Sequence, residues 1–99
     1  MKIEDWRAEI DAIDAELVRL LNRRAQLAVE VGKMKRAAGL SIFDPDREHD
    51  VLARACRTNV GPLDDQAIIR LFRRIIRESR RVEVRAVKAA ESHSHEVLR

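Results

Sequence analysis

Ninety-nine residues fit one domain, and 45% hydrophobic content with only 3% aromatic suits packed helices better than a β-sandwich. Twenty basic against 17 acidic residues leave a net charge of +3, too mild to point by itself to nucleic acid and compatible with a small anionic ligand. The single cysteine, Cys56, excludes an intrachain disulfide, and early charges at Glu4, Asp5 and Arg7 with no long apolar run predict no signal peptide, no membrane span and a cytoplasmic location.

The first predicted helix runs from Ile3 to about Ala38, a stretch without proline and with Gly32 as its one glycine. Trp6, Ile10, Ile13, Leu17, Leu20, Leu27, Val31 and Met34 recur in it at alternating spacings of four and three, the register that keeps one seam of a long helix against another helix. Position 24 falls on that seam, yet the residue is Arg24. Lys35 lies one turn beyond Val31, and Arg7 stands beside the seam at the other end. At about 1.5 Å per residue the helix would be roughly 50 Å long, far more than a compact domain with a radius of gyration near 13 Å can cover. The overhang predicts a homodimer with two long helices side by side, carrying Arg7 of one subunit toward the core of the other.

Lys35 and Arg36 suit the negative end of the helix dipole, and Gly39 can take the left-handed cap. After an apolar link, Leu40 to Phe43, Asp44 can cap a second helix with Pro45 at its first position. That helix runs through Val51, Leu52 and Ala55 and ends before Asn59-Val60-Gly61-Pro62. Leu63, Asp64 and Ile68 have the spacing of a hydrophobic staple around an N-cap and open a third helix, whose stripe is Ile68, Phe72, Ile75, position 79 and Val82. Position 79 is Ser79, and Glu83 lies beside the stripe one turn on. From Ala86 the sequence turns polar. The fold expected is all-α, three helices (long, short, long) in an intertwined homodimer, with residues 1–85 as the domain and 86–99 as a frayed tail.

Each helix thus carries polar groups where packing would not choose them: Arg7, Arg24 and Lys35, then Arg47 and Glu48, then Ser79 and Glu83. A buried charge without a partner costs several kcal/mol, so these groups either pair among themselves or await a ligand. Four cations against two carboxylates leave positive charge in excess, and arginine forks suit planar carboxylates; a ligand with two carboxylates would balance the site. Mutual pairing at a coiled-coil flank is the competing account.

The run Arg23-Arg24-Ala25-Gln26-Leu27-Ala28-Val29-Glu30-Val31-Gly32-Lys33-Met34-Lys35 resembles the signature of the all-helical class of chorismate mutases, bacterial type. Arg7-Ala8-Glu9-Ile10-Asp11-Ala12-Ile13-Asp14 is similar to that family's opening turns, Asp44-Pro45-Asp46-Arg47-Glu48 to its loop and second helix, and Leu71-Phe72 through Ile75-Ile76 to Ser79 to its last helix. The likeness spans roughly residues 6 to 84. It implies conversion of chorismate to prephenate, for phenylalanine and tyrosine, in an intertwined dimer whose two sites are each completed by the partner's N-terminal arginine. Carried over by position, Arg24 and the partner's Arg7 would clamp the two carboxylates, and Lys35 would reach a carboxylate and the ether oxygen. Asp44, through its backbone, and Glu48 would hold the ring hydroxyl, while Arg47 and Ser79 complete the polar wall. Lys35, Glu83 and Arg24 would act on the reacting atoms.

Where many relatives carry Gln to donate a hydrogen bond to the ether oxygen, this chain has Glu83, which must be protonated to donate. Burial would raise its pKa and Lys35 would lower it, a balance the sequence leaves open. The implied reaction is a one-substrate pericyclic rearrangement, so no metal, cofactor or nucleophile is called for. Two alternatives stand beside it. One is an isochorismate pyruvate-lyase or aminodeoxychorismate mutase on the same scaffold, against which the intact Asp44, Arg47, Glu48 and Ser79 set argues. The other is a non-catalytic helical dimerisation or nucleic-acid-binding module. Cys56 reads as a small core residue, His49 as solvent-facing, His93 and His95 as incidental, and Arg70, Arg74, Arg77 and Arg81 as a solvated face rather than a phosphate track.

Overall fold

A computed structural model describes the backbone of residues 1–97 and the side chains of residues 1–91. It contains α1 (Ile3–Ala37), α2 (Pro45–Thr58) and α3 (Asp65–Val97). The side chains of His93 and His95, read as incidental, lie outside the described residues.

Local signals account for the boundaries. The backbone N–H of Lys2 donates to Asp5 Oδ2 at 2.8 Å, and Glu4 and Asp5 sit in the first turn of α1, where negative charge favours the dipole. At the other end Gly39 has φ +71°, the left-handed conformation that only glycine adopts without steric cost, and Leu40 N–H returns to the Lys35 carbonyl at 2.8 Å. Asp44 caps α2, accepting the Arg47 N–H on Oδ1 at 3.1 Å, with Pro45 in the first turn. Asn59 organises the next turn: its Nδ2 donates to the Leu63 carbonyl at 2.8 Å and to Asp65 Oδ1 at 2.9 Å, while its Oδ1 accepts from Gly61 N–H at 3.1 Å. Asp64 then caps α3 by accepting the Ala67 N–H at 2.7 Å.

Helix α3 is the central element. It packs on α1 and on α2, whereas α1 and α2 do not pack on each other, so a space opens between them above the α3 surface. The inner face of α3 carries Ile68, Phe72, Ile75 and Ile76, then the buried Ser79, Glu83 and Val87. The stripe expected to pass through Val82 passes one residue round the helix, through Glu83, and Val82 is 39% exposed. Gly32 is the reason. It is the buried residue of α1, and a Cβ built on it would lie 2.7 Å from Glu83 Oε1 and 3.0 Å from Glu83 Cδ. The missing side chain is the room that Glu83 occupies. Beyond Ala86, where a frayed tail is expected, α3 keeps helical geometry to Val97; Val87 is buried, Ala89 and Ala90 favour helix, and Glu91 pairs with Arg36 of α1.

Among the described residues nothing covers the first half of α1. Every residue from Met1 to Arg23 is exposed, including Trp6 (54%), Ile10 (55%) and Ile13 (61%). The molecule measures 64 × 29 × 15 Å with a radius of gyration of 17.7 Å, against about 13 Å for a compact chain of this length. Among the described residues no helix is long and apolar enough to cross a membrane.

Because Asp64 satisfies an otherwise free N–H at the start of the central helix, Asp64→Ala is expected to lower stability by about 1 kcal/mol and Asp64→Ser to retain most of it. Thermal unfolding checks this, with a fall of roughly 4–8 °C for the alanine variant.

Candidate active site

The space between α1 and α2 is a cavity of about 320 Å³. Helix α1 lines it with Arg24, Leu27, Ala28, Val31 and Lys35, a single face in steps of three and four, which is why one seam supplies both its apolar wall and its cations. The link contributes Ile42 and Asp44, and the opening turns of α2 contribute Arg47, Glu48 and Val51. Helix α3 closes the floor with Ile76, Ser79, Arg80 and Glu83. Arg24, Lys35, Asp44, Arg47, Glu48, Ser79 and Glu83, chosen from the sequence, therefore meet around one cavity.

Arg7 does not join them. It is exposed and lies 17 positions before Arg24, about 25 Å along the axis of its own helix. No side chain spans that distance.

Arg24 is half-buried and donates from Nη1 to Ser79 Oγ at 2.9 Å. Burial, and after it the charge of Arg47, push the Arg24 pKa below its ordinary value, so the guanidinium is a cation under strain for want of a counter-charge. Lys35 Nζ lies 3.5 Å from Asp44 Oδ2. The Arg47 backbone N–H, with Lys35 and Arg47 charges adding to it, holds the Asp44 carboxyl below the usual range. Arg80 Nη2 meets Glu48 Oε2 at 2.7 Å. Glu83 is the outlier: burial raises its pKa, opposed by the charges of Lys35 and Arg80, and it takes part in no ion pair among the described residues.

The charge balance differs in detail from the one expected. The cavity holds Arg24, Lys35, Arg47 and Arg80 against Asp44, Glu48 and Glu83. The two pairs, Lys35 with Asp44 and Arg80 with Glu48, consume part of it, and Arg24 and Arg47 keep their charge unpaired among the described residues. What remains is an open, partly apolar pocket with two unpaired guanidinium groups, Arg24 on α1 and Arg47 on α2, and, on its floor, a carboxyl that burial biases toward its neutral form. Such a pocket can bind a small anion through planar forks and offer a proton to an oxygen between them. Arg80 is a wall residue that the apolar stripes do not mark, although positions 76, 80 and 83 share one face of a helix. Cys56, read as a core residue, is only half-buried and lies off the cavity, while His49 is exposed, as expected.

Comparison with known proteins places this geometry. The family model for chorismate mutase type II matches residues 6–84. The chain is 46% identical over 77 residues to the bifunctional chorismate mutase/prephenate dehydratase of Neisseria gonorrhoeae, covering 78% of this chain and 21% of that one. Against the protein of the same description from Aquifex aeolicus it is 38% identical over 79 residues, with 76% and 22% covered. The chain thus spans about a fifth of the length of these curated relatives. Among solved structures, chorismate mutase (Form II) from Thermus thermophilus superposes with a TM-score of 0.83 at 36% identity, over 86% of this chain and 97% of that one. Chorismate mutase from Helicobacter pylori, solved in complex with prephenate, gives 0.80 at 30% identity, over 87% and 93%. The seam broken by Arg24, the cap at Asp44 and the floor at Ser79 all fall inside the matched stretch, and the chain belongs to the type II chorismate mutases.

Proposed function

We propose that this chain rearranges chorismate to prephenate as a homodimer, a step toward phenylalanine and tyrosine, with a cytoplasmic location that its free Cys56 thiol suits. The observation that carries the reading is the convergence of seven sequence-chosen polar residues on one cavity with Arg24 and Arg47 left unpaired, in a chain of this family. An anionic ligand meets that excess of positive charge, one carboxylate of which falls to Arg24. The Helicobacter pylori relative, solved with prephenate, supports the choice of ligand.

In this reading Arg24 and Arg7 of the second copy clamp the two carboxylates, and Lys35 reaches a carboxylate and the ether oxygen. Glu48 and the Asp44 backbone hold the ring hydroxyl, Arg47 and Ser79 complete the polar wall, and Glu83 donates to the ether oxygen. The reaction breaks the C–O bond of the enolpyruvyl ether while a C–C bond forms across the ring, within one molecule. The site holds the arm folded over the ring against Leu27, Val31 and Ile76 and stabilises negative charge gathering on the ether oxygen. A millionfold acceleration requires about 8 kcal/mol, within reach of positioning plus two aimed donors. Pairing of two copies is supported by the uncovered seam from Trp6 to Leu20, which needs a cover of its own kind, and by Arg7 lying too far from its own cavity to serve it.

The purified chain is expected to consume chorismate and yield prephenate, with Arg24→Ala losing at least about a hundredfold in kcat/KM. Product identification separates this from pyruvate release by a lyase. Arg7→Ala and Arg24→Ala, each nearly inactive, should regain about a quarter of the wild-type activity when mixed and allowed to exchange subunits, since half of the dimers then hold one intact site. No recovery in a mixture shown to exchange refutes a shared site. Because Glu83 donates only when protonated and its pKa is raised, activity is expected to fall as pH rises through that pKa, and Glu83→Gln to flatten the profile. A profile that is flat from acid to neutral pH and unchanged by the substitution overturns this role.

A further inference from the structure

Arg80 is the charged wall residue for which the mechanism above has no use. It stands on α3 between Ser79 and Glu83, with Nη2 2.7 Å from Glu48 Oε2 and its guanidinium carbon 4.9 Å above the centre of the Phe43 ring. Phe43 directly precedes the cap residue Asp44, and Glu48 lies in the first turn of α2. One side chain of the central helix therefore grips both the link that closes the cavity and the carboxylate at its rim. A flat guanidinium can lie over a ring while its N–H edge meets a carboxylate, a geometry that a compact ammonium on a flexible stem reproduces less well.

The pair is also well shielded: its side chains are 33% and 28% exposed, comparable to Lys35 and Asp44 (21% and 43%) and well below Arg74 and Glu78 (64% and 45%), so water and salt screen it less than a surface pair. Its bond occupies Oε2 of Glu48, and Oε1 has no protein donor among the described residues. An unrestrained glutamate loses rotamer freedom on meeting a ligand, whereas one already held has less to lose.

We propose that Arg80 is a positioning residue that orients the Glu48 carboxylate for the ring hydroxyl of the substrate and fastens the Phe43–Asp44 link over the cavity. The role rests on the chorismate mutase reading of the same site. Since the hydroxyl is held alike before and during the rearrangement, loss of Arg80 weakens binding more than it slows chemistry.

The test is steady-state kinetics on the full chain and on Arg80→Met, Arg80→Lys, Glu48→Gln and the Arg80→Met/Glu48→Gln double variant. Arg80→Met is expected to raise KM about tenfold with kcat within about threefold, and Arg80→Lys to recover part of the loss. In the Glu48→Gln background the same change should add less than about twofold, because the group it acts through is already altered. If Arg80→Met does not fold, Arg80→Lys and Phe43→Leu carry the test, each raising KM about threefold. An unchanged KM in folded variants, or an effect confined to thermal stability, overturns the role. An equal rise in both backgrounds overturns the part of the role that acts through Glu48, and a flat Phe43→Leu overturns the part that acts through the link. No turnover by the unaltered chain overturns the function and this role together, whereas turnover with a flat Arg80 series overturns the role alone.

Discussion

Arg24 interrupts an otherwise apolar helical seam, and much of the surrounding structure compensates for burying its charge. A guanidinium on a dry face needs either a partner or a polar neighbour, and Ser79, buried on α3, supplies the neighbour without cancelling the charge. A carboxylate at position 79 would neutralise Arg24 and close the site to anions. The hydroxyl satisfies an N–H and leaves the cation electrostatically hungry. Arg47 across the cavity worsens that hunger rather than relieving it.

The other charges follow a different rule. Lys35 and Arg80 are each given a carboxylate, Asp44 and Glu48, and both of those acids sit at the start of α2, where a helix N-terminus also favours negative charge. The wall is thereby divided into a paired half, which fixes the link and α2 against α1 and α3, and an unpaired half, which remains for a ligand. Glu83 belongs to neither. Set in the floor where burial disfavours its charge, it is suited to hold a proton rather than to attract a cation.

Much of this was legible in the sequence because local chemistry marks it. Asp44, Pro45, Gly39 and Asp64 each have a backbone reason to stand where they do, and the helix boundaries follow them closely. Arg24, Lys35, Ser79 and Glu83 were visible as polar residues in or beside apolar stripes. The register error at Val82 was not avoidable by periodicity, since the shift toward Glu83 depends on space left by a glycine on another helix. Arg80 stayed hidden among neighbouring arginines whose fate is solvent, because only the approach of Phe43 and Glu48 from elsewhere in the fold distinguishes it. The persistence of α3 past Ala86 likewise goes with the burial of Val87 against the rest of the fold, to which the exposed Arg36–Glu91 pair adds little.

The contact between Gly32 and Glu83 ties two distant positions into one unit of size. Gly32 sits in mid-helix, with no turn to make and no unusual φ to adopt, so its backbone would accept alanine readily. What resists a side chain there is the reach of an acid from α3. The volume at the two positions is therefore shared: growth at one requires the side chain at the other to shift or shorten, and a residue that looks like a helix weakness is the complement of a functional group's length. Among relatives the two positions should drift together or not at all, and the constraint belongs to the pair rather than to either residue.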